Sequence, residues 1–152
     1  MSGKSEKQSK LAPKHLDAEC RLSSLRKRSQ TDFEIDFYER ILSRQPNYVE
    51  VLVCLGELLS EKRLYHRALQ VDVRLAALRP KSPTVLYNLA CTYALLNQTR
   101  KALCALKRAS DLGFSDVLLM LDDPDLESLR NHPGFEVILY DVGQRFSGPY
   151  VL

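Results

Sequence analysis

The residues that could support chemistry in this 152-residue chain are four cysteines, three histidines and a short run of aspartates. A tetrahedral zinc site needs convergent ligands that close spacing usually announces, but no two cysteines form a C-x-x-C pair and the histidines are scattered. The aspartates flank Pro124, an arrangement typical of a helix start, where acidic side chains complement the helix macrodipole. The residues are Cys20, Cys54, Cys91, Cys104, His15, His66, His132, Asp122, Asp123 and Asp125. We expect free, partly buried thiols, and no metal or cofactor.

Motifs for catalysis or phosphate binding are missing from the chain. It has no Gly-rich phosphate loop, no Ser-His-Asp set and no H-E-x-x-H helix. The sequence therefore predicts that the protein is not an enzyme. Cys54 and Cys91 fall on the first helices of the two repeats described next, where they could be neighbours. A disulfide between them would need Cα atoms within about 7 Å.

An internal repeat of 34 residues predicts the secondary-structure elements that position these residues. Residues 49–80 align with residues 83–114. The matched pairs are Leu52 with Leu86, Leu55 with Leu89, Gly56 with Ala90, and Ala68 with Ala102. A fixed period of this size indicates one supersecondary unit used more than once. Such units stack into solenoids that bind other chains.

Each repeat has the pattern of two amphipathic helices. Leu52, Leu55 and Leu59 recur at i, i+3 and i+7, which is one face of a helix. Lys62–Arg63 and Asn97–Gln98 interrupt the apolar pattern and predict short turns. Prolines 46 and 80 mark the ends of units, and Ser82-Pro83 supplies a cap and a first helical residue.

The pattern of residues in the two repeats resembles that of the tetratricopeptide repeat (TPR) family. The first repeat matches with Leu52, Leu55-Gly56, Leu59, Tyr65, Ala68 and Pro80, and the second with Leu86, Leu89-Ala90, Tyr93, Ala102, Leu106 and Ala109. Asp72 and Leu75 depart from the family pattern, and Phe114 replaces the terminal proline. The resemblance implies a right-handed, all-α helical solenoid.

A degenerate first repeat is predicted upstream. Thr31-Asp32 could cap a helix that bears Phe33, Phe37, Ile41 and Leu42 and ends at Pro46. Its partner helix would span residues 15–27.

Downstream, a short helix is predicted at 115–121. Asp123-Pro124-Asp125 then predicts a new helix start, with Leu126 and Leu129 facing inward. A last amphipathic helix carries Phe135, Ile138, Leu139 and Val142. This segment resembles the one that closes many bacterial TPR arrays.

The predicted organisation is therefore a disordered basic tail at 1–14, a single TPR-like domain at 15–146 and a C-terminal tail at 147–152. The domain divides into a degenerate repeat at 15–48, repeats at 49–82 and 83–116, and a closing segment at 117–146. This gives about three helix pairs plus C-terminal capping helices.

Composition excludes several classes of protein. No run approaches the roughly 20 apolar residues of a membrane span. The polar N-terminus lacks the apolar region of a secretory signal, so a cytoplasmic location is the default. The net charge is +3, with eight basic and three acidic residues in 1–30. No aromatic interleaving or nucleic-acid motif accompanies these basic residues, so nucleic acid is not the expected partner.

The resemblance implies a non-catalytic adaptor or scaffold that binds a peptide or partner helix in a groove lined by the first helices. Carried over, the lining is Glu50, Val53, Cys54, Glu57, Thr84, Tyr87, Asn88, Cys91 and Leu95. We expect these side chains to face away from the core, with Tyr87 as the main anchor. Glu50, Cys54, Thr84 and Asn88 occupy the carboxylate-clamp positions of a TPR subtype, and only the asparagine suits a clamp, so none is expected. A dedicated chaperone for one client, with an apolar groove, is the alternative, and self-association stays open.

Overall fold

Helices make up all the secondary structure in the part of the chain that the computed structural model describes, residues 29–146. In order they are α1 (Gln30–Arg44), α2 (Val49–Glu61), α3 (Tyr65–Leu78), α4 (Pro83–Leu95), α5 (Thr99–Asp111), α6 (Val117–Asp122), a 3₁₀ helix (Pro124–Leu129) and α7 (Pro133–Phe146). The all-α prediction is confirmed for these residues. The predicted tails, the predicted helix at 15–27, His15 and Cys20 lie outside the described residues.

The chain divides after Phe33 into two compact units. Within the described end of the first unit, Ser29 Oγ accepts a hydrogen bond from the Asp32 amide, and Asp32 Oδ2 accepts from the Ser29 amide and hydroxyl. This reciprocal pattern caps a helix N-terminus. Ser29 is therefore the cap of α1, and the prediction that Thr31-Asp32 begins the helix was wrong.

Helices of the second unit pack in pairs that follow one another in the chain. Helix α2 packs on α3 and α4 packs on α5, while α3 also contacts α4. Helices α2 and α4 begin at Val49 and Pro83, and α3 and α5 begin at Tyr65 and Thr99. The first helices of the two pairs therefore start 34 residues apart, and so do the second helices. The repeat that the sequence predicted is thus a repeat in the structure.

The turn inside each helix pair uses the left-handed backbone region. Arg63 has a φ of 57°, and Asn97, one period later, has a φ of 56°. The amide of Leu64 donates to the carbonyl of Leu59 at 2.8 Å, which closes the helix end as in a Schellman motif. Gly113 ends α5 in the same way, with a φ of 104°. The predicted turns are confirmed.

Two apolar clusters form the core of the second unit. The first joins α1, α2 and α3 through Ile35, Leu52, Leu55, Leu59, Ala68, Val71 and Leu75. The second joins α4 and α5 to the closing segment and includes Leu86, Ala90, Ala102, Leu106, Met120, Leu126, Leu129, Phe135, Ile138 and Val142. The predicted inward faces of the closing segment are confirmed. Its middle element is a 3₁₀ helix, capped by Asp123, whose Oδ1 accepts from the Asp125 amide at 2.9 Å.

Helix α1 packs through one of its two apolar stripes. Ile35 is buried, with Tyr38 and Leu42 packed beside it, whereas Phe37 is 52% exposed. The sequence of α1 offers two apolar stripes, one at i, i+3, i+7 from Ile35 and one at i, i+4 steps through Phe37 and Ile41. In the described chain the first stripe packs with α2 and α3, so Leu42 contacts the core while Phe33 and Phe37 are exposed.

Replacing Arg63 by glycine should stabilise the protein. An L-residue in the left-handed region is strained by about 1 kcal/mol, and glycine adopts this conformation without that strain. Asn97→Gly is the matched control one repeat later, and it should gain less because asparagine tolerates this region better. Urea denaturation monitored by circular dichroism measures both. A loss of stability in Arg63→Gly would show that the arginine side chain contributes more than the strain costs.

Candidate binding site

The nine predicted groove residues do not share one environment. Glu50, Glu57, Thr84 and Asn88 are exposed, and Val53, Cys54 and Leu95 are half-buried. Tyr87 and Cys91 are buried, at 5% and 7% exposure. The prediction that these side chains all face away from the core was therefore wrong for Tyr87 and Cys91.

Tyr87 belongs to the contact between α4 and the closing segment. Its ring stacks on Phe114 with centroids 4.2 Å apart and planes 6° apart. Its hydroxyl donates to Asp123 Oδ2 at 2.7 Å. Burial and the hydrogen bond to Asp123 raise the pKa of Tyr87, so the phenol stays protonated and acts as a donor. Because the ring is covered on one face and its hydroxyl is engaged, Tyr87 is a structural residue and not the free anchor that the sequence predicted.

A cavity of about 260 Å³ opens beside this contact, and we call it the acidic pocket. Helix α2 contributes Gly56, Glu57 and Ser60, α3 contributes Asp72, α4 contributes Tyr87, Asn88, Cys91 and Thr92, and the start of the 3₁₀ helix contributes Asp123 and Asp125. Four predicted groove residues meet here: Glu57, Tyr87, Asn88 and Cys91. Glu50 instead lines a separate cavity with Tyr48 and Arg79.

The lining of the acidic pocket carries charge of one sign. Glu57, Asp72, Asp123 and Asp125 all line it, and its lining residues include no lysine, arginine or histidine. Burial, and then the neighbouring Asp123, raise the pKa of the Asp125 carboxyl. The site therefore has a negative potential that its own lining does not neutralise.

The floor of the pocket contains a buried polar contact that the sequence analysis missed. Thr92 Oγ1 donates to Asp72 Oδ2 at 2.6 Å, and Asp72 is only 7% exposed. Burial raises the pKa of Asp72, and the hydrogen bond from Thr92 opposes this effect. The one available signal was the departure of Asp72 from the bulky residue that the TPR resemblance favours at its position.

Cys91, Asp123 and Asp125 place potential metal-ligand atoms within 4.8 Å of one another. The sequence interpretation of these aspartates as helix capping is confirmed for Asp123 and did not foresee Cys91 beside it. Cys91 Sγ contacts Asp123 Oδ2 at 3.7 Å as a donor, and burial together with the two aspartates raises the pKa of the thiol. The thiolate that a metal would need is therefore disfavoured here.

The cysteines have separate neighbours. Cys54 lies beside Tyr38 of α1, whereas Cys91 lies beside Tyr87 and Asp123. Both are free thiols, and Cys104 is free and exposed. The two cysteines on first helices are therefore not joined to each other.

Comparison with known proteins finds a relative that matches part of the chain. No family model matches the chain. A stretch of 60 residues is 40% identical to a protein of Arabidopsis thaliana whose name describes it as chloroplastic, and it covers 40% of this chain and 18% of that protein. The chain therefore spans less than a fifth of the relative it matches, which leaves its family unassigned. Among the described residues, no helix combines the length and apolar character that crossing a bilayer requires.

Tyr87→Phe should destabilise the protein although it keeps the stacked ring. The substitution removes a hydrogen bond to a carboxylate, a contribution of about 1.5–3 kcal/mol. Tyr93→Phe is the matched control, because Tyr93 lies on the same helix, is half-buried, and its hydroxyl makes no hydrogen bond within the described residues. Urea unfolding of both variants measures the difference. Equal losses would contradict the role assigned to the Tyr87 hydroxyl.

Asp72→Asn should stabilise the protein at pH 7 and lose this advantage in acid. The pKa of Asp72 is raised in the folded state, so the native protein binds a proton more tightly than the unfolded chain does. The stability of the wild type therefore falls as pH rises from the ordinary value of 3.8 through the folded pKa. Asparagine keeps an acceptor for Thr92 without a charge. Thermal melts from pH 4 to pH 8 measure the difference in melting temperature between wild type and Asp72→Asn, with Asp141→Asn as the control. A difference that did not change with pH would contradict the prediction.

Proposed function

We propose that the protein is a TPR-type interaction module, a right-handed solenoid that binds a segment of another protein on the face formed by the first helices. On this proposal it is a non-catalytic adaptor or scaffold. The observation that carries it is the acidic pocket together with the exposed polar residues around it. Glu57 and Asn88 project from α2 and α4 at this face, and both are exposed. Their side chains are outside both apolar clusters, so they are available for a partner.

The repeat supports the proposal because it presents the same face twice. Glu50 and Thr84 are one period apart and both exposed, and each lies in the first turn of its helix. Partner segments that lie across successive repeats can therefore meet polar groups at regular intervals. A carboxylate clamp is again disfavoured, since Asn88 shares its pocket with four acids.

The polar character of the pocket favours an adaptor over a dedicated chaperone. A chaperone that holds an apolar client segment needs an apolar groove, and eight of the ten lining residues here have a polar or ionisable side-chain group other than a thiol. The large apolar side chains that the closing segment exposes do not line this pocket: they are Leu118, Leu119 and Leu121 on α6, and Val137 and Tyr140 on α7. Client holding is the alternative, and binding of an apolar peptide at this face, measured by fluorescence anisotropy, would support it.

Location follows from this proposal only by default. We keep the cytoplasm as the prediction, while the name of the matched relative describes that protein as chloroplastic. Imaging of a fluorescent fusion in cells of the source organism decides between these compartments.

An affinity pull-down tests the proposed function. The Glu57→Ala/Asn88→Ala double variant should lose partners that the wild type retains, because both side chains lie at the proposed interface and outside the core. Glu136→Ala/Asn131→Ala is the matched control, since it removes the same residue types from exposed positions in the closing segment. Circular dichroism checks that all variants fold. Partners retained equally by both variants would move the interface elsewhere.

A synthetic peptide ending in Glu-Glu-Val-Asp serves as a specificity control in the same experiment. We expect no binding by fluorescence anisotropy, because its acids would meet the acids of the pocket and Glu50. Micromolar binding that is lost in Asn88→Ala would establish a carboxylate clamp after all.

A further inference from the structure

The acidic pocket holds carboxylates of two kinds. Asp72 and Asp123 are engaged, since Asp72 accepts from Thr92 and Asp123 accepts from Tyr87, Cys91 and the Asp125 amide. Glu57 and Asp125 have no side-chain hydrogen bond or ion pair within the described residues. These two carboxylates come from α2 and from the start of the 3₁₀ helix, so they line the same cavity from separate elements.

The shape of the pocket suits a side chain that enters from a bound segment. Its volume is about 260 Å³, and it lies where α2, α3 and α4 meet the start of the 3₁₀ helix. Gly56 lets the backbone of α2 lie close to Asp72 at the lining, since a Cβ there would be only 3.3 Å from Asp72 Oδ1. Asn88 and Ser60 add further hydrogen-bonding groups at the lining, and neither side chain has a partner in residues 29–146.

We propose that the segment bound at the first-helix face inserts an arginine side chain into the acidic pocket. The inference rests on the proposed function and specifies the partner through charge complementarity, because the lining carries four carboxylates and no basic residue. A guanidinium stays charged and presents five donors in a planar fork, so it can satisfy carboxylates that approach from different directions. The ammonium of lysine offers a compact point charge and fits such a divided set less well.

The pocket also restricts what else could bind there. An acidic or phosphorylated segment would meet charges of its own sign, and an apolar side chain would leave the carboxylates desolvated without a partner. A soft metal ion such as zinc, if bound through Cys91, would need its thiolate, which the surroundings disfavour. Arginine brings a permanent positive charge to the lining together with several donors for its carboxylates.

Nuclear magnetic resonance titration of the full-length ¹⁵N-labelled chain tests the proposal. The probe is acetyl-Ala-Gly-Arg-Gly-Ala-amide, and the same peptide with citrulline is the matched uncharged control. The arginine peptide should shift the amide signals of Asn88, Thr92 and Asp125. The citrulline peptide should bind at least about tenfold more weakly, which is about 1.4 kcal/mol. Equal shifts from both peptides, or no shift at these amides, would overturn the proposal.

Charge-neutral variants locate the effect. Asp125→Asn and Glu57→Gln should each weaken binding of the arginine peptide severalfold, whereas Glu136→Gln on α7 should leave it unchanged. Equal weakening in all three would mean a general charge effect and would overturn the assignment to this pocket. Zinc chloride is added in a separate arm, and competition by zinc at micromolar concentration would replace the arginine site by a metal site.

The outcomes separate this inference from the proposed function. If the Glu57→Ala/Asn88→Ala variant loses its partners while the arginine and citrulline peptides bind alike, the interface stands and the arginine assignment fails. If partners are retained by that variant, the interaction face itself is wrong, whatever the peptides do.

Discussion

Close approach of helices at small residues is the constraint on which the remaining structure depends. Ala68, Ala90 and Ala102 are fully buried, and a Cβ at Gly56 would lie only 3.3 Å from Asp72 Oδ1 and 3.5 Å from a Val71 methyl. Side chains this short let two helix axes come together, and the large leucines then fill the space on either side. Because these small residues recur at one period, the same close approach is available in both helix pairs.

The closing segment converts the end of the repeats into a site. A repeat that lacked a successor would leave one side of α4 and α5 exposed, and here Met120, Leu126, Leu129 and Phe135 cover it. Asp123 joins this cover to α4, since one carboxylate accepts from Tyr87, Cys91 and the amide that begins the 3₁₀ helix. The segment that completes the core thus also places two aspartates beside the polar face of α2 and α4.

What the sequence could predict depended on how local each signal is. Helix pairs, turns and buried leucines were predictable because their determinants lie within a few residues or recur at a fixed period. Tyr87 was assigned wrongly because its partner Asp123 lies 36 residues away and belongs to an element outside the repeat. The sequence contained one sign of the aromatic ring that stacks on Tyr87, which was Phe114 at the position where the TPR pattern has a proline. The packed face of α1 could not be predicted from the sequence, since two apolar stripes compete there and only tertiary contacts choose between them.

If the proposed function holds, the acidic pocket makes stability and binding depend on the same charges. Burial raises the pKa of Asp72 and Asp125, so each carboxylate is less favourable in the folded protein at neutral pH than it would be in water. Nothing in the apolar clusters needs these charges, since packing in that region is provided by the leucines, Phe114 and Phe135. A cation that enters the pocket relieves the same unfavourable interaction, so binding it stabilises the fold by linkage. The energetic cost of the free pocket is therefore a source of selectivity, because a partner without positive charge cannot recover it.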